Sequence, residues 1–128
     1  MKKVMIFGTF DGLHSGHRAM LEEAKSLGDY LIAAVAQDHV VEHLKGHLPE
    51  RNLAVRFLHL AEVDGVDKVI IGDAEISTWN TVKRYQPDII AIGHDQNALL
   101  KDLKSSLEKL GYRPEIKILK YHEPANHA

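Results

Sequence analysis

A short apolar run followed by a glycine-rich turn and two histidines limits the folds open to this chain more than any other feature. Residues 4–7 are apolar throughout, which is typical of a buried strand. From Ala19 onward the apolar residues recur at helical spacing, which predicts an amphipathic helix that begins near Ser15. Residues 8–17, between the two, read Gly-Thr-Phe-Asp-Gly-Leu-His-Ser-Gly-His. The two histidines therefore lie at a strand-to-helix junction.

This junction suits an anion. The start of a helix presents backbone N–H groups and the positive end of the helix dipole, and Gly8 lets the chain turn close to an anion without a Cβ in the way. His14 and His17 are three residues apart, so both can project from the same side of the first turn and donate to one anion. An imidazole donor can follow the charge that grows on a phosphoryl group under attack, which is the differential stabilisation that catalysis requires. These residues predict a polyphosphate site.

The same ten residues resemble the His-x-Gly-His signature of the cytidylyltransferase-like nucleotidyltransferases. Its longer form, Gly-Thr-Phe-Asp-x-x-His-x-Gly-His, is matched at every fixed position. The resemblance implies catalytic roles for both histidines. It also implies nucleotide contacts from the residues of the motif, which are Gly8, Thr9, Phe10, Asp11, His14, Gly16 and His17. The alternative is a surface loop with two solvated histidines.

Length and composition favour a single domain. The 128 residues, 45% hydrophobic and 27% charged, suffice for one core and not for two. Without cysteine there is neither a disulfide nor a thiolate site, and no apolar run approaches the roughly 20 residues that span a bilayer. A net charge of −2 gives no general attraction for nucleic acid. We therefore expect a cytoplasmic protein with a small-molecule partner, with neither nucleic acid nor membrane as a partner.

Apolar runs alternate with helical patterns along the rest of the chain. Further strands are predicted at residues 30–36, 66–71, 88–92 and 115–119. Helices are predicted at residues 15–27, 52–62, 76–85 and 96–110. Strands separated by helices pair in parallel through right-handed crossovers. The sequence therefore predicts an α/β fold over residues 1–128: a single-domain, Rossmann-like doubly wound sheet of about five parallel strands with helices on both faces. Its ligand crevice lies at the carboxyl ends of the strands.

A second polar cluster, Gly93-His94-Asp95-Gln96, follows the fourth strand at the same edge of the sheet. Gly93 would let a flat base approach the backbone, and Asp95 either accepts hydrogen bonds from ribose hydroxyls or caps the next helix. The resemblance implies that Gly93, Asp95 and Gln96 contact the nucleotide. The Asp-Gln form is similar to that of archaeal FAD synthases, whereas glycerol-3-phosphate cytidylyltransferases carry an Asp-Asp-Trp-like version.

A long polar connection, residues 37–51, predicts a mobile or partly helical lid between the second strand and the second helix. The resemblance implies a lysine here that reaches the triphosphate, and Lys45 is the position that matches best. It also implies a phosphate-contacting arginine, which is Arg56, with Arg51 as an alternative that spacing leaves open. For each of these cations the alternative is a solvated surface side chain.

Three histidines of the lid are spaced four residues apart. On one continuous helix, His39, His43 and His47 would form an imidazole stripe able to bind a transition metal. Their neighbouring carboxylates fit a solvated helical face equally well, and His14 with His17 lacks an obvious third ligand, so we predict no metal site built from protein side chains. Trp79 is predicted to be a packing residue and not a platform for a base.

The last nine residues depart from the family pattern. The resemblance implies a basic segment rich in serine and threonine that closes the site over the phosphates. Residues 120–128 contain neither serine nor threonine. Tyr121 or His122, or a neighbouring subunit, are the candidates to replace that segment.

The resemblance implies nucleotidyl transfer, in which an acceptor phosphate attacks the α-phosphorus of a nucleoside triphosphate. His14, His17 and Lys45 would act in catalysis, and Mg²⁺ would accompany the triphosphate with little direct protein ligation. Similarity to archaeal FAD synthases favours ATP and FMN, with CTP and glycerol 3-phosphate, or ATP and a sugar phosphate, as alternatives. A nucleotide-binding module without catalysis is an alternative from a different class. The family also implies a homodimer.

Overall fold

The computed structural model describes residues 1–120, in which five strands and five α-helices are found. The strands are β1 (Lys3–Gly8), β2 (Tyr30–Val35), β3 (Lys68–Ile71), β4 (Ile89–Ile92) and β5 (Glu115–Ile118). The helices are α1 (Ser15–Ser26), α2 (Asp38–Lys45), α3 (Leu53–Ala61), α4 (Asn80–Tyr85) and α5 (Asn97–Ser106), which continues into a 3₁₀ turn (Leu107–Leu110). None of these helices combines the length and apolar character that crossing a bilayer requires.

All five strands pair in parallel, in the order β3-β2-β1-β4-β5. β1 is central, so that Val4 lies between Leu31 and Ile89 of the two adjacent strands. The chain builds the sheet outward through β2 and β3 and then returns to place β4 on the other side of β1. This reversal beside β1 opens a crevice at the carboxyl ends of β1 and β4. The predicted Rossmann-like α/β fold with five parallel strands is confirmed.

Side chains alternate across β1 and pack against helices on both faces. Val4 and Ile6 belong to the core that includes residues of α1 and α3, whereas Met5 belongs to the core that includes residues of α4 and α5. All three side chains are fully buried. Burial of side chains of this size contributes about 1.5–3 kcal/mol each to folding. Helices on both faces are therefore needed to cover a central strand that is apolar on both sides.

α4 is shorter than its sequence pattern predicts. It begins at Asn80 and not at residue 76, because Ser77 and Trp79 adopt positive φ angles of 70° and 54°, which no right-handed helix contains. Trp79 is buried, and its ring packs edge-on against Phe7 with 5.6 Å between the ring centroids. The prediction of a packing residue at position 79 is confirmed. The other predicted strands and helices agree with the structure to within two residues at each end, with the 3₁₀ turn counted as the end of α5.

The connection between β2 and α3 is partly helical, as predicted. α2 occupies its first half and ends where Gly46 adopts a left-handed φ of 81°. His47 therefore lies beyond the end of the helix. The stripe of three histidines that a continuous helix would form is not present, because the helix stops too early.

Gly28, in the turn between α1 and β2, has no room for a side chain. A Cβ at this position would lie 2.7 Å from the carbonyl oxygen of Lys2 and 2.8 Å from a methyl carbon of Val4. We expect Gly28→Ala to lower the free energy of unfolding by about 1–3 kcal/mol, because the backbone must shift to relieve these contacts. Urea unfolding measures the change, with Ser26→Ala on the exposed end of α1 as the control. A Gly28→Ala variant as stable as the wild type would contradict the close packing of this turn.

Candidate active site

A buried aromatic ring supports the turn after β1. Phe10 is 3% exposed and has a positive φ of 53°. A Cβ at Gly8 would lie 2.8 Å from Cζ of this ring, so only glycine fits beside it. The reason expected for Gly8 is therefore wrong, because its open side receives the Phe10 ring and not an anion. Phe10 likewise commits its ring to the core and offers a ligand only its backbone.

His14 and His17 cap the first turn of α1 reciprocally. The backbone N–H of His17 donates to Nδ1 of His14 at 3.2 Å, and the backbone N–H of His14 donates to Nδ1 of His17 at 3.4 Å. The rings are stacked, with 3.7 Å between their centroids and 17° between their planes. Gly16, between them in sequence, is buried. Two imidazoles thus take the places that a hydroxyl and a carboxylate usually occupy in such a cap, and both rings lie on one side of the turn.

This cap determines which ring nitrogen carries the proton. A nitrogen that accepts a hydrogen bond has no proton of its own, so each neutral ring is protonated at Nε2. Each imidazole then has an Nε2–H donor for a ligand. Two stacked donors at the amino end of a helix, where the dipole is positive, are suited to bind an oxyanion.

The surroundings of His17 favour the neutral form of its ring. Burial lowers the pKa of His17 below its ordinary value of 6.5, His14 and Lys45 lower it further, and Asp95 opposes them. Lys45 is exposed at the end of α2, and Asp95 is exposed in the loop after β4. Both charges are therefore near enough to act on the His17 ring, one from the lid and one from the second polar cluster. The sequence predicts this convergence.

One amide side chain ties the loop after β4 to β1. The Gly93 N–H donates to Oε1 of Gln96 at 2.7 Å, and Nε2 of Gln96 donates to the Phe7 carbonyl at 2.9 Å. A Cβ at Gly93 would lie 3.1 Å from the same Oε1, so this side of Gly93 is occupied by Gln96 and not open to a base. Gln96 is a positioning residue here. No side chain caps α5, so the alternative that Asp95 is a helix cap is wrong.

The observed position of Arg56 differs most from the role that its sequence predicts. Its side chain is fully buried, and its guanidinium donates through Nη1 to the Thr9 carbonyl at 2.8 Å and through Nη2 to Asp38 at 2.6 Å. Nε donates to the Arg51 carbonyl at 2.9 Å. The expected phosphate contact of Arg56 is wrong for this structure, because burial and these partners leave no accessible face. Arg56 instead joins the histidine turn, the start of α2 and the end of the lid.

Asp11 also holds the end of the lid. Its carboxylate accepts hydrogen bonds from the backbone N–H groups of Glu50 and Arg51, at 2.7 and 3.1 Å, and from Nη1 of Arg51 at 3.4 Å. Burial acts to raise the pKa of Asp11, but these hydrogen bonds and the Arg51 charge outweigh it and hold the pKa below 3.8. Asp11 is thus committed to the lid and is not a free carboxylate. The Arg51 side chain is 41% exposed, so a ligand can reach it, whereas Arg56 is out of reach.

Metal-binding clusters are absent from the described part of the chain. Residues 1–120 contain no group of three histidine, aspartate or glutamate side chains placed to hold an ion. In the lid, His39 contacts the Ala74 carbonyl at 2.7 Å, and His47 contacts the Leu48 carbonyl at 2.9 Å. Tyr121 and His122 lie outside the described residues.

Sequence reasoning missed the role of Asp38. This residue holds the buried Arg56, yet it stands in the first turn of α2, where carboxylates are common because the helix dipole favours them. The only sequence feature that could have indicated this ion pair is a carboxylate 18 residues before an arginine that lies within an apolar helical pattern. That feature also fits two unrelated surface residues.

The histidine cap gives a prediction for pH. We expect the NMR titration of His17 to have its midpoint below 6.5, with the neutral ring protonated at Nε2. Because the pKa is lower in the folded state than in the unfolded state, the stability that His17 contributes is complete above pH 6.5. It is lost as the pH falls through the folded-state pKa. A midpoint at or above 6.5, or a neutral ring protonated at Nδ1, would contradict the cap.

The buried guanidinium gives a prediction for stability. We expect Arg56→Met to lower the free energy of unfolding by about 3 kcal/mol, because two carbonyls and the Asp38 carboxylate lose their donor. Arg113→Met, at an exposed position before β5, is the control and should change stability by less than about 0.5 kcal/mol. Urea unfolding measures both variants. Equal stabilities would show that the buried contacts of Arg56 contribute nothing.

Comparison with known proteins places the chain in a family. Residues 5–125 match the sequence model of the cytidylyltransferase-like family. FAD synthase from Thermococcus sibiricus is 40% identical over 114 residues, which are 89% of this chain and 77% of that protein. FAD synthase from Pyrococcus horikoshii is 39% identical over 119 residues, which are 93% of this chain and 80% of that protein.

Among solved structures, a similar one is the lipopolysaccharide core biosynthesis protein from Thermoplasma volcanium. It is 35% identical with a TM-score of 0.87, and the alignment covers 96% of this chain and 99% of that chain. The match of residues 5–125 includes the histidine pair and the loop after β4. The chain belongs to the cytidylyltransferase-like family and is a nucleotidyltransferase.

Proposed function

We propose that this protein transfers AMP from ATP to FMN, forming FAD and releasing pyrophosphate. Relatives named FAD synthase match 89% and 91% of the chain at 40% identity, which supports this pair of substrates. The observation that carries the proposal is the stacked pair of His14 and His17. Their two Nε2–H donors, at the amino end of α1, suit a phosphate under attack.

The reaction needs no covalent enzyme intermediate. A phosphate oxygen of FMN attacks the α-phosphorus of ATP, and a new P–O bond forms on the face opposite the leaving group. The bond from the α-phosphorus to the bridging oxygen breaks, and its electron pair leaves on pyrophosphate. Negative charge grows on the transferring and leaving oxygens, where His14 and His17 donate. Neutral donors that are already oriented need no rearrangement as this charge develops.

Other groups near the pair complete the proposed site. Lys45, whose charge reaches His17, would offset the charge of the triphosphate. Thr9 and Gly16 would contact phosphate through their backbones, and Asp95 would accept hydrogen bonds from ribose. Arg56 would act through Thr9, because it holds that carbonyl from the protein interior.

The side chains of the site fit a metal ion that binds together with the nucleotide and not directly to the protein. Asp11 is already bound to the lid, and the histidine pair supplies donors rather than ligands. Mg²⁺ would therefore be held by the oxygens of the triphosphate and by water. When bound, it would neutralise part of the phosphate charge.

A second acceptor class is supported by the relative from Thermoplasma volcanium. That protein is named for lipopolysaccharide core biosynthesis, which favours a sugar phosphate as the alternative acceptor. CTP with glycerol 3-phosphate would be a third pair of substrates, and nucleotide binding without catalysis would be a function of a different class. The homodimer and the cytoplasmic location also remain predictions.

Product analysis tests the function directly. We expect the purified chain with ATP, Mg²⁺ and FMN to form FAD and an equal amount of pyrophosphate, measured by chromatography and a coupled assay. CTP in place of ATP, and glycerol 3-phosphate or a sugar phosphate in place of FMN, serve as controls. Turnover with another pair of substrates and none with ATP and FMN would overturn the proposal. Nucleotide binding without any turnover would favour a binding module.

A histidine variant tests the transition-state role. We expect His17→Ala to lower kcat by roughly 100- to 1000-fold, because one oriented donor to the transferring phosphate is lost. The Kd for ATP should change much less. The acceptor for the His14 N–H is also lost, which is one half of the cap, so stability should fall by about 1 kcal/mol, and unfolding is measured alongside. Equal losses in kcat and in ATP affinity would argue against a role specific to the transition state.

A further inference from the structure

We propose that a surface groove between α1 and α3, beside the histidine pair, binds a phosphate group. Its volume is about 390 Å³. The turn after β1, the first turn of α1, the end of the lid and the end of α3 contribute its lining, which is Gly12, Leu13, Arg18, Arg51, His59, Glu62 and Val63. Neither histidine of the pair belongs to this lining. Phosphate binding here does not depend on which nucleotide or acceptor reacts.

The base of the groove is apolar. Val63 is buried, and Leu13 packs against the same core cluster on the face of the sheet that α1 and α3 cover. Charged side chains stand around these two residues. Since charges in a partly enclosed, apolar setting are screened less than charges on an open surface, an anion in the groove is attracted more strongly.

Gly12 fixes the position of the Arg51 guanidinium. Gly12 has a left-handed φ of 74°, and a Cβ here would lie 2.8 Å from Nη1 of Arg51. The guanidinium therefore packs on the bare Cα of the turn. Its ion-pair contacts are long, 3.4 Å to Asp11 and 3.8 Å to Glu50, whereas a strong hydrogen bond of this kind measures about 2.7–2.9 Å. Arg51 is thus held in place with donors available to a ligand.

Arg18 and His59 bring further donors from two other elements. Arg18 follows the N-cap residue His14 by four residues, so the two lie on the same face of α1, one turn apart. His59 stands in the last turn of α3. Both side chains are exposed, and within residues 1–120 neither makes a hydrogen bond or an ion pair. Three donor groups therefore approach one groove from three segments of the chain.

These donors suit a phosphate better than a carboxylate. Two guanidiniums present planar forks of N–H donors, and the tetrahedral oxygens of a phosphate accept from several directions, whereas a carboxylate has two oxygens in one plane. Glu62 lines the groove with the opposite charge, and the nearby Asp11 carboxylate accepts from the backbone N–H groups of Glu50 and Arg51. The two arginines exceed the charge of Glu62, although the whole chain has a net charge of −2.

Two sources of phosphate share this chemistry. Free phosphate or pyrophosphate would bind in the groove by itself. Alternatively, the triphosphate of a nucleotide at the histidine pair would extend into the groove past Gly12 and Leu13. The groove has the volume of roughly a dozen waters, so it has room for pyrophosphate with part of its hydration shell.

Matched charge variants test the groove with pyrophosphate as the probe. Affinity is measured by NMR from the amide signals of His59 and Val63, which line the groove from the end of α3 and not from the histidine pair. We expect Arg18→Met to weaken pyrophosphate binding by about fivefold or more, because a charge-assisted donor is lost. Glu62→Gln removes the opposing charge and should strengthen binding by about twofold or more.

Two control variants make the same changes of charge outside the groove. Arg113→Met and Glu108→Gln are at exposed positions before β5 and in the 3₁₀ turn, and both should leave the affinity within about twofold at constant ionic strength. Equal affinities of Arg18→Met and Arg113→Met would overturn the assignment. It would also be overturned if the His59 and Val63 signals moved with neither pyrophosphate nor ATP.

A nucleotide competition identifies the source of the phosphate. If pyrophosphate still moves the His59 and Val63 signals when a non-hydrolysable ATP analogue saturates the protein, the groove binds a free anion. If the analogue fills the groove instead, Arg18→Met should weaken the binding of ATP and not that of AMP. Either result supports the groove. None of these measurements requires turnover, so they stand apart from a failure to form FAD.

Discussion

The reciprocal hydrogen bonds between His14 and His17 are the constraint on which the rest of this site depends. Two backbone N–H groups at the start of α1 need acceptors, and the two Nδ1 atoms supply them. This choice leaves the protons on Nε2, stacks the rings and begins the helix directly after His14. This local interaction therefore sets where the helix and the positive end of its dipole begin, the tautomer of both imidazoles and their spacing.

Polar side chains, each hydrogen-bonded to protein partners, hold the loops around this pair in place. From the protein interior, Arg56 donates to the Thr9 carbonyl of the histidine turn. Asp11 binds the end of the lid, and Gln96 joins the ends of β1 and β4. A buried guanidinium is costly unless its donors are bonded, and here all three nitrogens have partners. Such a network allows donors to be placed before the substrates bind, which is the condition for effective electrostatic catalysis.

Much of the fold could be predicted, because it depends on patterns local in sequence. Apolar runs of four to seven residues and helical spacing between them indicate parallel strands, and the sheet rules then bring the turn after β1 and the loop after β4 together. The early end of α2 was harder to predict, although glycine, which stands at position 46, commonly ends helices. The late start of α4 depends on positive φ angles at Ser77 and Trp79, which neither residue type indicates.

The roles of individual site residues were less predictable than their location. The burial of Arg56 depends on the Thr9 carbonyl, 47 residues away, and on Asp38, 18 residues away. No periodic pattern shows contacts of that kind, so a charged residue in an apolar helix could equally face solvent or phosphate. Gly8 was correctly singled out for the wrong reason, because the ring that needs its open side lies two residues later.

In the proposed site, two neutral imidazoles donate from Nε2 to the phosphate that is transferred. A crystal structure with a non-hydrolysable ATP analogue and Mg²⁺ would show whether these donors reach the phosphates. We expect phosphate oxygens about 2.7–3.2 Å from Nε2 of both His14 and His17, with the reciprocal cap intact. Phosphates bound more than about 3.5 Å from both rings, or a cap that opens so that Nδ1 contacts the nucleotide, would contradict it.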